Sequence, residues 1–364
     1  MLEPPEFENP PLPADPPDYD PFRDEGGVPG LEEDPNIPAL EGGPNIGWAA
    51  TFPSDPLSVT VFGGQVVVCT NGGTVHALSS TSGRELWHAA VGGPVTGAPA
   101  MADGNLVVGT SLGALVSLDP TNGQRKRVET GDAAYLFPLV SGPEQLVAMT
   151  DGSSLEIHDA ASLRLLGRAQ VYGEVTAPPV IGGELVLVAT SQGSVVAYQV
   201  ENGVQAWSAR LSGQISAPIT VLAGFPSVAI VGTSLGSVVG LDLATGHELW
   251  SHQAVGAFVG SAIQQGRLLL AFKGNSLSEL NPVTGKLKNT AVISSNPVAA
   301  PVFTPAGVAI FLSGGRVDLL RPDLTRTDRV QLPGPIVGQP VGQSTRIYAA
   351  LRESAVYCLK FPEA

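Results

Sequence analysis

An all-β fold, an eight-bladed β-propeller of four-stranded antiparallel blades, is predicted by three observations in this 364-residue chain. The first is a repeat of about forty residues: Thr70, Thr110, Thr150 and Thr190 each close an apolar run at intervals of forty. Self-similarity at that period is the mark of a propeller. The second is the internal grammar of the repeat. One copy reads PVTGAPAM, NLVVGT, a SLG turn, ALVSLD, PTNG and QRKRVET. These are four short runs separated by the Gly, Asn, Ser and Pro clusters that hairpin turns need. The third is a count: the turn between the second and third runs recurs at 71–73, 111–113, 151–153, 191–193, 234–236, 273–275, 313–315 and 352–354. Eight turns mean eight blades, and no segment reads as a helix of useful length.

Innermost strands are marked by Pro99, Pro138, Pro178, Pro218, Pro301 and Pro340, with Ala262 where the proline is missing. The middle strands are the five- or six-residue runs rich in Val, Leu and Ala. The eighth repeat starts near Ile336 and runs out at Phe361 after its third strand, which leaves an open edge. Residues 46–52, IGWAATF, look like the fourth strands elsewhere, since Trp48 followed by two Ala parallels Trp87 followed by His88, Ala89 and Ala90. We expect this N-terminal strand to complete the last blade and remove the unpaired edge that would otherwise invite aggregation. Residues 1–45 then form a tail and 46–364 the propeller.

A second motif ends several repeats: 77–87 read ALSSTSGRELW, 197–207 AYQVENGVQAW and 240–250 GLDLATGHELW. These segments resemble the tryptophan-docking motif of the PQQ-type (quinoprotein-like) propeller repeat family: a small residue, Asp or Asn, Thr-Gly, and Trp four residues after the Gly. Asp242, Thr245, Gly246 and Trp250 match in full, while the other two copies substitute Ser79 and Ser82, or Gln199 and Asn202. Partial copies stand at Asp119 with Asn122 and Gly123, and at Asn281 with Thr284 and Gly285; the third and seventh repeats lack the motif. The resemblance spans residues 46–361 and implies a docking role for Trp48, Trp87, Trp207 and Trp250. It speaks for the fold, because propellers host unrelated activities.

Within that family two activities compete: quinone-dependent dehydrogenases, and noncatalytic eight-bladed scaffolds such as the outer-membrane barrel-assembly lipoprotein. A dehydrogenase of this kind holds its cofactor on a central calcium and usually has adjacent half-cystines and a longer chain with insertions. Calcium takes six to eight oxygen ligands. This chain has two cysteines far apart, short connections and no loop that bunches acids. We therefore expect no catalytic residue, no cofactor and no metal. His76, His88, His158, His247 and His252 fall in different strands or turns, without metal-ligand spacing. GTSLG, at 109–113 and again at 232–236, has no following helix to bind a phosphate, and its repetition marks a hairpin turn. Cys69 and Cys358 come to lie in adjacent blades on ring closure, either as two buried thiols filling small-residue slots or as a disulfide locking the ring.

Charge is unevenly placed. Of the formal net charge of −14, residues 1–45 hold twelve acidic side chains against the single Arg23. They also hold twelve prolines, a composition that cannot bury enough apolar surface to fold alone. The tail reads as a solvated tether or as a docking arm, in which DPPDYDPF sets Tyr19 and Phe22 in an acidic, proline-stiffened frame. A negative chain argues against nucleic acid.

No apolar stretch approaches the length that spans a bilayer, and residues 1–30 are the reverse of a signal peptide. Taken alone, this places the chain in the cytoplasm. The resemblance implies instead a bacterial periplasm or cell envelope protein from which a signal or lipid anchor has been removed, with only indirect membrane association. Partners are expected on the loops that lead into the innermost strands, where Asp132, Tyr135, Tyr172, Glu174, Gln214, Phe258 and Asn296 stand, since binding concentrates on loops of a rigid scaffold. Phe225, on a small insertion at 223–226 at the other face, is a further candidate. The expectation is a noncatalytic scaffold for protein partners in an envelope assembly, monomeric alone. Its alternatives are an accessory subunit of another complex anchored through the acidic arm, and a quinone-binding oxidoreductase.

Overall fold

The computed structural model describes residues 45–361, apart from 216, 225 and 353. Among these, thirty-two strands form eight four-stranded antiparallel sheets. Blades 1 to 7 comprise residues 56–90, 100–130, 140–170, 180–210, 220–253, 258–292 and 302–331. Blade 8 takes its inner three strands from 336–360 and its outer strand from Asn45–Thr51. That closing strand runs antiparallel to Ala355–Lys360, with Trp48 opposite Cys358 and Thr51 opposite Ala355. The N-terminal strand and the eighth repeat are thus joined by hydrogen bonds within one sheet, as the sequence predicts.

Each blade packs between two others, so its middle strands are covered on both faces and read as continuous apolar runs instead of alternating ones. Val66, Val67, Val68 and Cys69 are all buried, as are Leu268 through Phe272. The outer strands face water: every residue of Arg125–Thr130 is exposed. The prolines expected on the innermost strands sit just before them in blades 2, 3, 4, 5 and 7, and those strands are only two or three residues long. In blade 8 Pro340 lies inside the strand Ile336–Gln343 at a shift of register, which fits a residue that cannot donate to the ladder.

The in-register threonines have a structural reason. Thr70, Thr110, Thr150 and Thr190, joined by Thr233, end the second strands and are buried. In the first four the hydroxyl bonds a backbone group across the hairpin: Thr70 Oγ1 donates to Thr74 O, and Ala114 N donates to Thr110 Oγ1.

Neighbouring blades are pinned by the docking residues. Nε1 of Trp48, Trp87, Trp207 and Trp250 donates to the backbone oxygen of Ser80, Pro120, Leu243 and Pro282 respectively, each in the next blade, at 3.0–3.2 Å. The motif glycine receives the ring. A Cβ on Gly83, Gly123, Gly246 or Gly285 would run into Trp48, Trp87, Trp207 or Trp250, and all four glycines have positive φ. The Asx turn ahead of that glycine is held by Asp242 Oδ1, which accepts from Thr245 N and Oγ1.

The same joint exists where the motif is absent from the sequence. Arg127 Nη1 donates to Ser162 O and Asn289 Nδ2 to Asp323 O, both at 2.9 Å. Here the receiving glycine is replaced by Leu163 and Leu324, buried at positive φ. Each leucine instead packs into the hydrophobic cluster that spans its two blades.

Cys69 and Cys358 are free and buried, within different hydrophobic clusters. Burial pushes both thiols up to about 12, so they pack as small apolar residues.

Candidate partner-docking face

One face of the disc carries the turns between second and third strands together with the connections that lead from each outer strand into the next blade. A single bond fixes this face in every blade: the first turn N–H donates to a connection carbonyl. The pairs are Asn71 to Asp55, Ser111 to Pro94, Asp151 to Ala134, Ser191 to Glu174, Ser234 to Gln214, Lys273 to Ala257, Ser313 to Asn296 and Arg352 to Pro335, at 2.7–3.0 Å. The loops here are therefore rigid, a property that lowers the entropic cost of binding.

Of the residues expected to meet a partner on this face, Asp132, Glu174, Gln214, Asn296 and Tyr172 are exposed, and Tyr172 most fully, at 85 %. Tyr135 and Phe258 are not available. Tyr135 is buried, bridged to Thr150, and its hydroxyl donates to Glu156 at 3.3 Å; Phe258 is buried edge-on against Phe272. In both cases the connection is itself drawn into the sheet, which turns the side chain inward. Burial and the adjacent Glu156 push the Tyr135 phenol up. Phe225, Tyr19 and Phe22 lie outside the described residues.

Beside Tyr172, the face holds four exposed apolar side chains that were not among the expected contacts. Among the described residues, the large hydrophobic side chains more than 60 % exposed are Leu112, Tyr172, Leu235, Val255 and Val292, and all five stand here. Leu112 and Leu235 are the middle residues of the two SLG turns, where the other turns carry Gly, Gln or Glu. That contrast was the available signal: a leucine at a solvent-facing turn tip has no packing reason to be there. Each leans across a connection glycine, Gly93 and Gly213 respectively. Beside Gly213 a shallow groove of about 570 Å³ runs between Ser191–Gln192 and Arg210–Gln214.

Inside the blades, titratable groups are satisfied by one another. Glu85 accepts contacts from His76 Nδ1 at 2.8 Å and His88 Nδ1 at 2.7 Å. The two histidines, distant in pattern, meet because they are register partners across adjacent strands. Burial holds His76 below the usual histidine range, the hydrogen bond and charge of Glu85 opposing it. Burial pushes Glu85 the other way, but hydrogen bonds from both histidines outweigh it and keep the carboxyl low.

These features form an apolar-studded, rigid, loop-built face, and they suit recognition of a protein surface better than chemistry on a small molecule. Comparison with known proteins agrees with the repeat type. The family model described as outer membrane protein assembly factor BamB matches residues 43–154 and 151–360. The chain belongs to the BamB family of PQQ-type propellers. A BamB of Burkholderia pseudomallei is 28 % identical over 192 residues, half of this chain but only 39 % of the relative's length. Among solved structures, the crystal structure of BamB from Moraxella catarrhalis superposes with a TM-score of 0.72 at 17 % identity, covering 87 % of this chain and all of the other. The designed propeller Ika8 gives 0.74 at 16 % identity, covering 85 % of this chain and 98 % of that one. Saccharomyces cerevisiae Sqt1 gives 0.74 at 10 %, with 86 % and 98 % covered. At these identities the superpositions establish the fold alone.

Proposed function

We propose that this chain is a noncatalytic protein-interaction scaffold of a bacterial envelope, serving outer-membrane protein assembly as BamB-family proteins are named for doing. The observation that carries the scaffold reading is the gathering of Leu112, Tyr172, Leu235, Val255 and Val292 on one face. Exposed apolar side chains on rigid loops of one face, with Asp132 and Glu174 among them, suit the anchors of a protein-binding surface. The family match across 43–154 and 151–360 supports the assembly role and the envelope location.

The test is an affinity pull-down from membrane extracts of the native organism, with the full chain, with residues 1–44 deleted, and with Tyr172→Asp combined with Val255→Asp. Recovery of a barrel-assembly protein by the first two and its loss, tenfold or more, with the third is the expected result. Capture of a different complex, and only by the chain that keeps residues 1–44, would replace this reading with that of an accessory subunit held through its acidic arm.

A further inference from the structure

The opposite face, built from the first-to-second and third-to-fourth turns, is divided by charge. Its turns in blades 2 to 5 present Asp103, Asp119, Glu144, Asp159, Glu184, Glu201 and Asp242, with Arg125, Lys126, Arg127 and Arg164 standing beside the acids of blades 2 and 3. In blades 6 to 8 they and the adjoining strand ends present Lys286, Lys288, Arg321, Arg326, Arg346 and Lys360, against Asp323 and Asp328 of blade 7. The closing strand begins inside the basic sector: Asn45 stands opposite Lys360, which in turn stands opposite Arg346 on its other side. Like charges directly opposed across a sheet destabilise it unless an anion lies between them. Among the described residues none of Lys286, Lys288, Arg346 and Lys360 forms an ion pair, whereas Lys126 of blade 2 is paired with Asp119 at 3.0 Å. Arg346 Nε is buried with no hydrogen-bond partner.

Next to these cations, a groove of about 420 Å³ lies between the first-to-second turns of blades 6, 7 and 8, lined by Gln264, Gln265, Phe303, Thr304, Pro305 and neighbouring residues. The Arg267 guanidinium sits over the Phe303 ring, 5.7 Å from its centroid.

We propose that the occupant of this sector is the chain's own residues 1–44, their carboxylates on Lys286, Lys288, Arg321, Arg346 and Lys360, and Tyr19 and Phe22 at the groove beside Phe303. The segment carries twelve acids against one arginine and joins the propeller at this edge of this face. Reach sets no limit. Glu41 is four residues from Asn45, about 13 Å when extended, and Phe22 is twenty-three residues away, which spans more than about 70 Å. Glu184, Glu201 and Asp242 of blades 4 and 5 repel the same segment, so charge gives the seating a direction around the ring. This inference does not rest on the scaffold reading and leaves the connection face free.

The arrangement of lysines supplies an internal control. The chain has five: Lys126, Lys273, Lys286, Lys288 and Lys360. Lys126 and Lys288 hold equivalent places, second in their outer strands, two blades from blade 8 in opposite directions. Zero-length carbodiimide crosslinking of the full chain, as an equal mixture of isotopically light and heavy protein, joins tail carboxylates to whichever lysine they contact, and mass spectrometry reads the links. Links from Asp15 to Glu25 onto Lys286 and Lys288 should exceed those onto Lys126 by roughly tenfold, the ratio of a 1.4 kcal/mol preference. They should join residues of one isotope and fade in 1 M salt, where the screening length is about 3 Å. Tyr19→Ala with Phe22→Ala, which leaves the propeller untouched, should lower them several-fold. Equal labelling of Lys126 and Lys288, no links at all, or links only between light and heavy chains would overturn the proposal, the last in favour of a second copy. Undiminished links in the double variant would overturn the role given to the groove.

Discussion

Tryptophan joints between blades and buried carboxylates within blades both hold outer strands of this ring, and they solve one problem differently. In four joints a tryptophan from one blade lies on a motif glycine of the next and donates Nε1 to its turn. The outer strands of blades 3 and 7 have no tryptophan: Gly167 and Asp328 stand where it would be. There the fixing lies within the blade. Glu156 of blade 3 is buried and takes Arg168 at 2.6 Å, His158 at 3.1 Å and Tyr135 at 3.3 Å. Asp318 of blade 7 is buried between Arg329, at 2.7 Å, and Ser294, at 2.8 Å. The difference teaches that a propeller needs each outer strand anchored, while the anchor itself is free to be an aromatic plate or a buried carboxylate with a cation.

Replacing an anchor should break the first kind most severely. Trp250 is buried, and Trp250→Ala removes a large apolar surface and a hydrogen bond while leaving Gly285 with nothing to receive. We expect a loss of about 3–5 kcal/mol, measured by urea unfolding. A loss under about 1 kcal/mol would show that the docking tryptophans are not anchors. Trp48→Ala should cost at least as much, because Trp48 also sits on the strand that closes the ring, packed on Tyr348 at 5.7 Å.

The joints at Arg127 and Asn289 refine the comparison, since they keep the donated bond and exchange the rest. Arg127→Trp alone should be destabilising, its ring meeting Leu163 in the space the leucine already fills. Arg127→Trp with Leu163→Gly should regain most of the loss, because the pair recreates the plate and its seat. A coupling of about 1–3 kcal/mol in the double-mutant cycle is expected. Simple additivity of the two changes would mean that Leu163 is not the counterpart of the motif glycine.

Blade number, the closing strand and the docking tryptophans were legible because each repeats a residue type at a fixed interval. Arg127 and Asn289 were not, since they share with tryptophan only an N–H placed at the same point, and residue type hides that equivalence. The compensating Leu163 and Leu324 could be seen only together with their partners. Tyr135 and Phe258 were expected on the surface because they sit in loops; the loops pair with the ends of second strands, and the rings turn inward. The apolar face was partly readable, through Tyr172 and the two turn leucines, but Val255 and Val292 look like any strand-end valine until their exposure is known.

Acid should separate the tryptophan joints from the carboxylate anchors. Burial pushes Glu156 and Asp318 upward, but the hydrogen bonds from His158 and Arg168 in one case, and from Arg329 and Ser294 in the other, outweigh it. Both carboxyls are held below their ordinary values of 4.5 and 3.8. A folded pKa below the unfolded one gives stability that is fully present above the unfolded value and is lost as pH falls through the folded one. Thermal stability of the wild type should therefore decline progressively below about pH 4.5. Glu156→Gln should be less stable at pH 7 yet decline less steeply in acid, and Trp250→Phe should leave the slope unchanged. An unchanged slope in Glu156→Gln would show that this carboxylate does not anchor blade 3 through its charge.

The smallest effect is expected where a joint keeps one exposed bond. Asn289 Nδ2 donates to Asp323 O at 2.9 Å, and the Asp323 carboxylate separately accepts from Thr325. Asn289→Ala removes the inter-blade bond without opening a cavity, because Leu324 still fills the joint from the receiving side. The partly exposed carbonyl left behind can be met by water, so the loss should be about 0.5–1.5 kcal/mol, well below that of Trp250→Ala in urea unfolding. A loss as large as the tryptophan's would place the strength of every joint in the donated bond. The expected small loss places it in the surface covered beneath, supplied by a ring from one blade or by a leucine from the next.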